Sequence, residues 1–125
     1  MLPWPLWLTD HYIQRTFGCE ISTTAIIGER LRFAHLPGIV VGSGVIIGDD
    51  CVMFHGVLLG QSHGQFPIIG NNVTLCAHSC VLGGVKIGDN VIVLANSVVT
   101  HDVPSNSIVA GAPARVIKEK GDIRV

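Results

Sequence analysis

The sequence predicts an all-β fold, a parallel β-helix of stacked triangular coils with a short N-terminal helix and a C-terminal tail. Three observations carry this. Apolar residues recur every sixth position, small or β-branched residues recur four positions after them, and a glycine often follows directly. The series begins at Ile21, Ile27 and Phe33. A slip of two restarts it at Val41, Ile47, Met53 and Leu59, and a slip of four restarts it at Ile69, Leu75, Val81, Ile87, Val93 and Val99. Gly28, Gly42, Gly48, Gly60, Gly70 and Gly88 are the following glycines. Ala25, Val45, Cys51, Val57, Val73, Ser79, Val85, Val91 and Ser97 are the intervening small or β-branched residues.

A period of six belongs neither to an α-helix nor to a flat two-faced strand. A short β-branched segment followed by a glycine-permissive corner turns the chain through a fixed angle. Three such corners close a coil of about eighteen residues, with apolar side chains pointing inward. One coil cannot close a core, whereas stacked coils form a continuous one.

The elements follow in order. Residues 1–19 form a helical cap, in which Thr9 and Asp10 start a helix over His11 to Phe17 that Gly18 stops. Trp4 and Trp7 are expected to pack on the open end of the coil and seal its strand edges. A membrane-surface role is their alternative. Residues 20–104 form the coil, interrupted by a short insertion at His35–Gly38 and a longer loop from Gln61 to Ile68. Residues 105–125 close the fold, with the AGAPARVI segment from Ala110 to Ile117 and a polar tail after it.

Composition narrows the function. With 48% apolar and 14% charged residues and a net charge of −1, the chain is neither disordered nor a nucleic-acid binder. No apolar run reaches the length of a transmembrane span, and the N-terminus lacks the basic region of a signal peptide. Cys19, Cys51, Cys76 and Cys80 show no CxxC spacing, as expected of reduced thiols in a cytoplasmic protein. Outward-facing Phe54, Leu58 and Leu94 call for a cover from other copies.

The register also assembles a candidate site. Phe33, Met53, Leu75 and Val93 should stack in one inward column. Two positions beyond each, on the outer surface, come His35, His55, Ala77 and Ala95. Two imidazoles above which a strip of methyl groups continues make a reactive end and a smooth channel for an extended thiol cofactor.

The stretch CEISTTAIIGERLRFAHLPGIVVG resembles the start of the coil domain in serine O-acetyltransferases and in related O-acetyltransferases of polysaccharide gene clusters. These are hexapeptide-repeat enzymes, and the resemblance implies a left-handed parallel β-helix. It implies His35, ahead of LPGIVVG, as general base, with Glu20, fifteen residues earlier, as the carboxylate that orients it. Serine acetyltransferases usually carry Asp at the position of Glu20. An acceptor hydroxyl is a poor nucleophile at neutral pH. An imidazole that takes its proton during attack on a thioester removes that obstacle, and a carboxylate on the far ring nitrogen fixes the tautomer.

The same resemblance implies acetyl-CoA as co-substrate, no metal, and active sites between the subunits of a homotrimer. Ala77 and Ala95 would line the cofactor arm, and Pro113 and Arg115 would lie near its adenosine end. Backbone N–H groups at the Gly60–Gln61 corner are candidate oxyanion donors.

The chain departs from the serine enzymes at three positions. They place Asp before the catalytic His and Arg-His before the Pro of the long loop, where this chain has Ala34, Gln65 and Phe66. The expected acceptor is therefore a sugar hydroxyl in polysaccharide biosynthesis, with Phe66 stacking on a pyranose and His55, His63 and Gln65 bonding hydroxyls. The alternative is a serine O-acetyltransferase of cysteine biosynthesis. His63 is a rival base, since a loop histidine serves so in other hexapeptide acetyltransferases. A zinc-dependent carbonic anhydrase would need a His-x4-His pair that the chain lacks. A silent scaffold would not need the Glu20/His35 register.

Overall fold

A computed structural model of the protein describes residues 6–119. Helix α1 (Leu6–Phe17) leads into the coil. The first coil holds β1 (Glu20–Ile21), β2 (Ile26–Ile27) and β3 (Arg32–Phe33), and the second β4 (Val40–Val41), β5 (Ile46–Ile47) and β6 (Val52–Met53). The third holds β7 (Leu58–Gly60), β8 (Ile68–Ile69) and β9 (Thr74–Leu75), and the fourth β10 (Cys80–Leu82), β11 (Lys86–Ile87) and β12 (Ile92–Val93). β13 (Val98–Val99), β14 (Ser107–Gly111) and β15 (Ala114–Glu119) complete the described chain.

Equivalent strands of successive coils pair in parallel, giving three flat sheets. They run β1-β4-β7-β10-β13, β2-β5-β8-β11 and β3-β6-β9-β12-β14, with β15 returning antiparallel on β14. Phe33 pairs with Met53, Met53 with Leu75, and Leu75 with Val93, so the predicted inward column forms. Val93 then pairs with Val109, which extends that column into β14.

From Val41 upward every sixth-position residue is buried, as are Val45, Cys51, Val57, Val73 and Val91. Each such aliphatic contributes about 1.5–3 kcal/mol. The lowest coil is different, because Ile21 and Phe33 are only half-buried and Ile27 is 36% exposed. Among the described residues no coil lies beneath them.

The glycine corners have a different cause from the one expected. Gly28, Gly48, Gly70 and Gly88 do not adopt positive φ. A Cβ on Gly28 would strike the backbone of Gly48, one on Gly48 that of Gly70, and one on Gly70 that of Gly88. Close approach of successive coils, rather than backbone freedom, excludes a side chain there. The left-handed turn falls two residues later, at Arg30, Asp50, Asn72, Asn90 and Asn106, with φ between 54° and 61°. Short polar side chains tolerate that conformation best.

Helix α1 starts earlier than expected and encloses Thr9 and Asp10, which therefore do not begin it. Both cost only tenths of a kcal/mol inside a helix, and Gly18, at φ 64°, ends it as predicted. Trp7 is 70% exposed, so it does not seal the coil, and Trp4 lies outside the described residues. All four cysteines are free. No helix among the described residues is long and apolar enough to cross a membrane.

Candidate active site

Each coil has a corner where the third sheet hands the chain to the first. There His35 follows β3, His55 follows β6, Ala77 follows β9 and Ala95 follows β12. Backbone bonds from the Gly56 N–H to the Pro37 oxygen (2.9 Å), from His78 to His55 (2.9 Å) and from Asn96 to Ala77 (3.0 Å) fix the levels one above another.

The rings of His35 and His55 lie 5.7 Å apart, edge to face. A third imidazole, which the register did not foresee, joins them. His78 packs perpendicular to His55 at 4.9 Å. The expected partner of His55 was Ala77, but His78 has φ 59°, and that turn swings its ring back over Gly56. A Cβ on Gly56 would meet the Nδ1 and Cε1 of His78. The available signal was a residue without a side chain one coil below a ring. Ala77 is half-buried and Ala95 exposed, and both continue the small-residue strip above the rings. Among the described residues, no protein group hydrogen-bonds to the ring nitrogens of His35, His55 or His78.

Glu20 shares this corner at the level below. Its N–H donates to the Ile39 oxygen at 2.8 Å, and Ile39 in turn bonds back to Leu36, beside His35. The carboxylate is exposed, lines a cleft of about 340 Å³ with Gln14 and Ser43, and bonds to no described residue. Glu20 and His35 are therefore neighbours in the fold but not hydrogen-bonded.

The long loop occupies another corner, between the first and second sheets. Ser62 and Gln65 close it by reciprocal backbone bonds of 3.0 and 3.1 Å, the Gln61 side chain accepts from the Gly64 N–H, and the Ser62 hydroxyl meets the Nδ1 of His63. Gln65 lies against Gly84, and the ring of Phe66 covers Gly42 and Gly44. A groove of about 350 Å³ runs between Ser62, His63, Gln65 and Leu82. Within one chain the fold thus separates Gly60, Gln61, His63, Gln65 and Phe66 from His35. The half-buried ring of Phe66 rests one face on Gly42 and Gly44. Pro113 lies in the exposed turn joining β14 to β15, and Arg115 bonds at 3.1 Å to the adjacent Ala114 oxygen.

Burial pushes the thiols of Cys51 and Cys76 above the ordinary range. Among the described residues no three His, Cys, Asp or Glu side chains are placed to hold a metal ion.

Residues 66–101 match the family model of the bacterial transferase hexapeptide (six repeats). The serine acetyltransferase of Synechococcus elongatus is 41% identical over 118 residues, spanning 91% of this chain and 48% of that protein. Two solved structures have a TM-score of 0.88. The Neisseria gonorrhoeae serine acetyltransferase is 32% identical over 91% of this chain and 46% of its own. The Brucella abortus serine acetyltransferase in complex with coenzyme A is 33% identical over 92% and 48%. The chain spans about half the length of the relatives it matches.

Proposed function

We propose that this chain, a hexapeptide-repeat protein of the bacterial transferase type, transfers an acetyl group from acetyl-CoA to the hydroxyl of serine. The observation that carries the reading is the 41% identity to a serine acetyltransferase, which runs through the coil that holds His35 and Glu20. The earlier expectation of a sugar acceptor is corrected by that relative and by the two solved structures.

His35 takes the hydroxyl proton as the oxygen attacks the thioester carbonyl. The tetrahedral intermediate then expels the thiolate, and the imidazolium returns the proton to sulfur, so no proton is gained or lost overall. The Glu20 carboxylate, bonded to no described residue, is free to turn to His35 during the reaction, where it would orient the ring and stabilise its charged form. The Ala77 and Ala95 strip leaves room for the arm of acetyl-CoA. Backbone donors at Gly60 and Gln61 lie on a different corner from His35, which favours sites shared between copies and hence a homotrimer. The exposed Ile46 and Ile68 offer apolar surface for such contacts.

Release of free CoA from acetyl-CoA, followed with a thiol reagent, tests the reading. L-serine should stimulate it strongly and neutral sugars should not. Light scattering should give three times the chain mass, and a monodisperse monomer would reject the shared site.

A further inference from the structure

We propose that His78, together with His55, receives the carboxylate of the acceptor while His35 works on its hydroxyl. The proposal rests on the serine reading above and gives His78 a role that the hexapeptide pattern does not.

Two corners of the coil contrast. At the left-handed corner the polar side chains satisfy one another. Arg30 donates to Asp50, Asn72 to Asn90 at 2.7 Å, and Asn90 to Asn106 at 3.0 Å. At the histidine corner the three imidazoles meet edge to face, with centroids 5.7 and 4.9 Å apart, yet no described group bonds to their nitrogens. A polar ladder built only for the fold would have been closed like the first.

Contacts also orient the ring of His78. The Nδ1–Cε1 edge of His78 rests over Gly56, and its plane stands at 89° to that of His55. Nε2 therefore lies on the side away from the glycine. His78 is exposed, and these two contacts narrow its rotamers, so it gives up less freedom on binding a ligand than a side chain without them.

Charge and reach complete the case. The hydroxyl and carboxylate of serine are separated by two carbons, so His55, whose ring lies 5.7 Å from that of His35, is the nearer receiver. His78, a further 4.9 Å from His55, meets the carboxylate from the far side. Residues 34–38, 54–56, 76–78 and 94–96 form this corner and include no Lys or Arg. Glu20, at the level below His35, repels an anion and drives it up the column towards His55 and His78. The phosphates of the donor stand a whole pantetheine arm from its thioester, so they are poor candidates for rings beside His35.

The test compares L-serine with L-serinamide, which keeps the hydroxyl and amine but lacks the carboxylate. His78→Gly and His78→Asn both tolerate the left-handed backbone, and melting curves check their fold. With His78→Gly, kcat/KM for L-serine should fall roughly ten- to hundredfold, mainly through KM. The loss with L-serinamide should be only a few-fold, and His78→Asn should recover part of the loss with L-serine. Equal losses on both acceptors, or a rise confined to the KM for acetyl-CoA, would overturn the proposal. No serine turnover by the unmodified protein would overturn the acceptor reading and this one with it. Turnover of serine without discrimination by the His78 variants would overturn this one alone.

Discussion

The ring of Phe66 stands where a Cβ on Gly44 would have to go. That contact ties the long loop, an excursion of the third coil, to the second coil beneath it. It also explains why an aromatic residue occurs in a chain with few of them: the ring fills the hollow over the glycines. Gly44→Ala must push the ring aside and should cost about 1–3 kcal/mol, read from urea unfolding. In a Phe66→Ala background the same substitution should cost well under half as much, because the clash has been removed. Additive losses would mean that the ring and the glycine do not meet.

Activity should separate the two histidines that the sequence nominated. His35→Ala should lower kcat by roughly 10²–10⁴-fold, the usual contribution of a positioned base. His63 bonds to Ser62 and in a shared site would stand by the Gly60–Gln61 donors rather than in the role of base, so His63→Ala should cost far less than His35→Ala. Steady-state assays with acetyl-CoA and L-serine decide this, and an active His35→Ala protein would reject the assignment.

The ladder through Asn72, Asn90 and Asn106 makes a stability prediction. Asn90 both donates and accepts in it, at φ 55°. Asn90→Ala should lose both bonds and strain the backbone, costing roughly 1–3 kcal/mol. Asn90→Gly relieves the strain while still losing the bonds, so it should cost less. The difference between the two unfolding free energies measures the strain.

Most of the coil was legible because its signal is periodic. Met53, Leu75 and Val93 are inward for the same reason at each level, and six-residue counting finds them all. The same counting reads Ile27 as core and misses that no described coil covers it. It also places Ala77 above His55, correctly for the backbone, but cannot see His78, whose left-handed turn reverses its side chain. The packing of Phe66 was hidden for a related reason. Nothing in the spacing of a loop residue tells that Gly42 and Gly44 leave a ring-sized hollow beneath it.

Two inward positions hold hydroxyls where their neighbours hold valines. The Oγ atoms of Ser79 and Ser97 are buried and have no hydrogen-bond partner. An unpaired buried hydroxyl costs about 1–3 kcal/mol, so Ser79→Ala and Ser97→Ala should be neutral or stabilising by up to about 1 kcal/mol. Ser107 is equally buried but donates to the Pro104 oxygen at 2.8 Å. Ser107→Ala should therefore be destabilising, by about 1 kcal/mol. Melting temperatures of the three variants should move in these opposite senses.

Alkaline pH should loosen the core through its thiols. Burial raises the Cys51 thiol above its ordinary value, with the Asp49 and Asp50 carboxylates adding to the shift, and burial also raises Cys19 and Cys76. A group whose folded-state pKa is raised supports stability fully below its unfolded value. That support is lost as pH climbs towards the folded value, because the unfolded chain gives up the proton first. Unfolding free energy should therefore be flat up to about pH 8.5, the ordinary thiol value, and fall beyond it. Cys51→Val, which puts at this inward position the residue found at Val45, Val57 and Val73, should flatten part of that decline and leave stability at pH 7 nearly unchanged. Urea titrations between pH 7 and 10.5 measure both. An identical alkaline limb in the variant would show that Cys51 is not part of its cause.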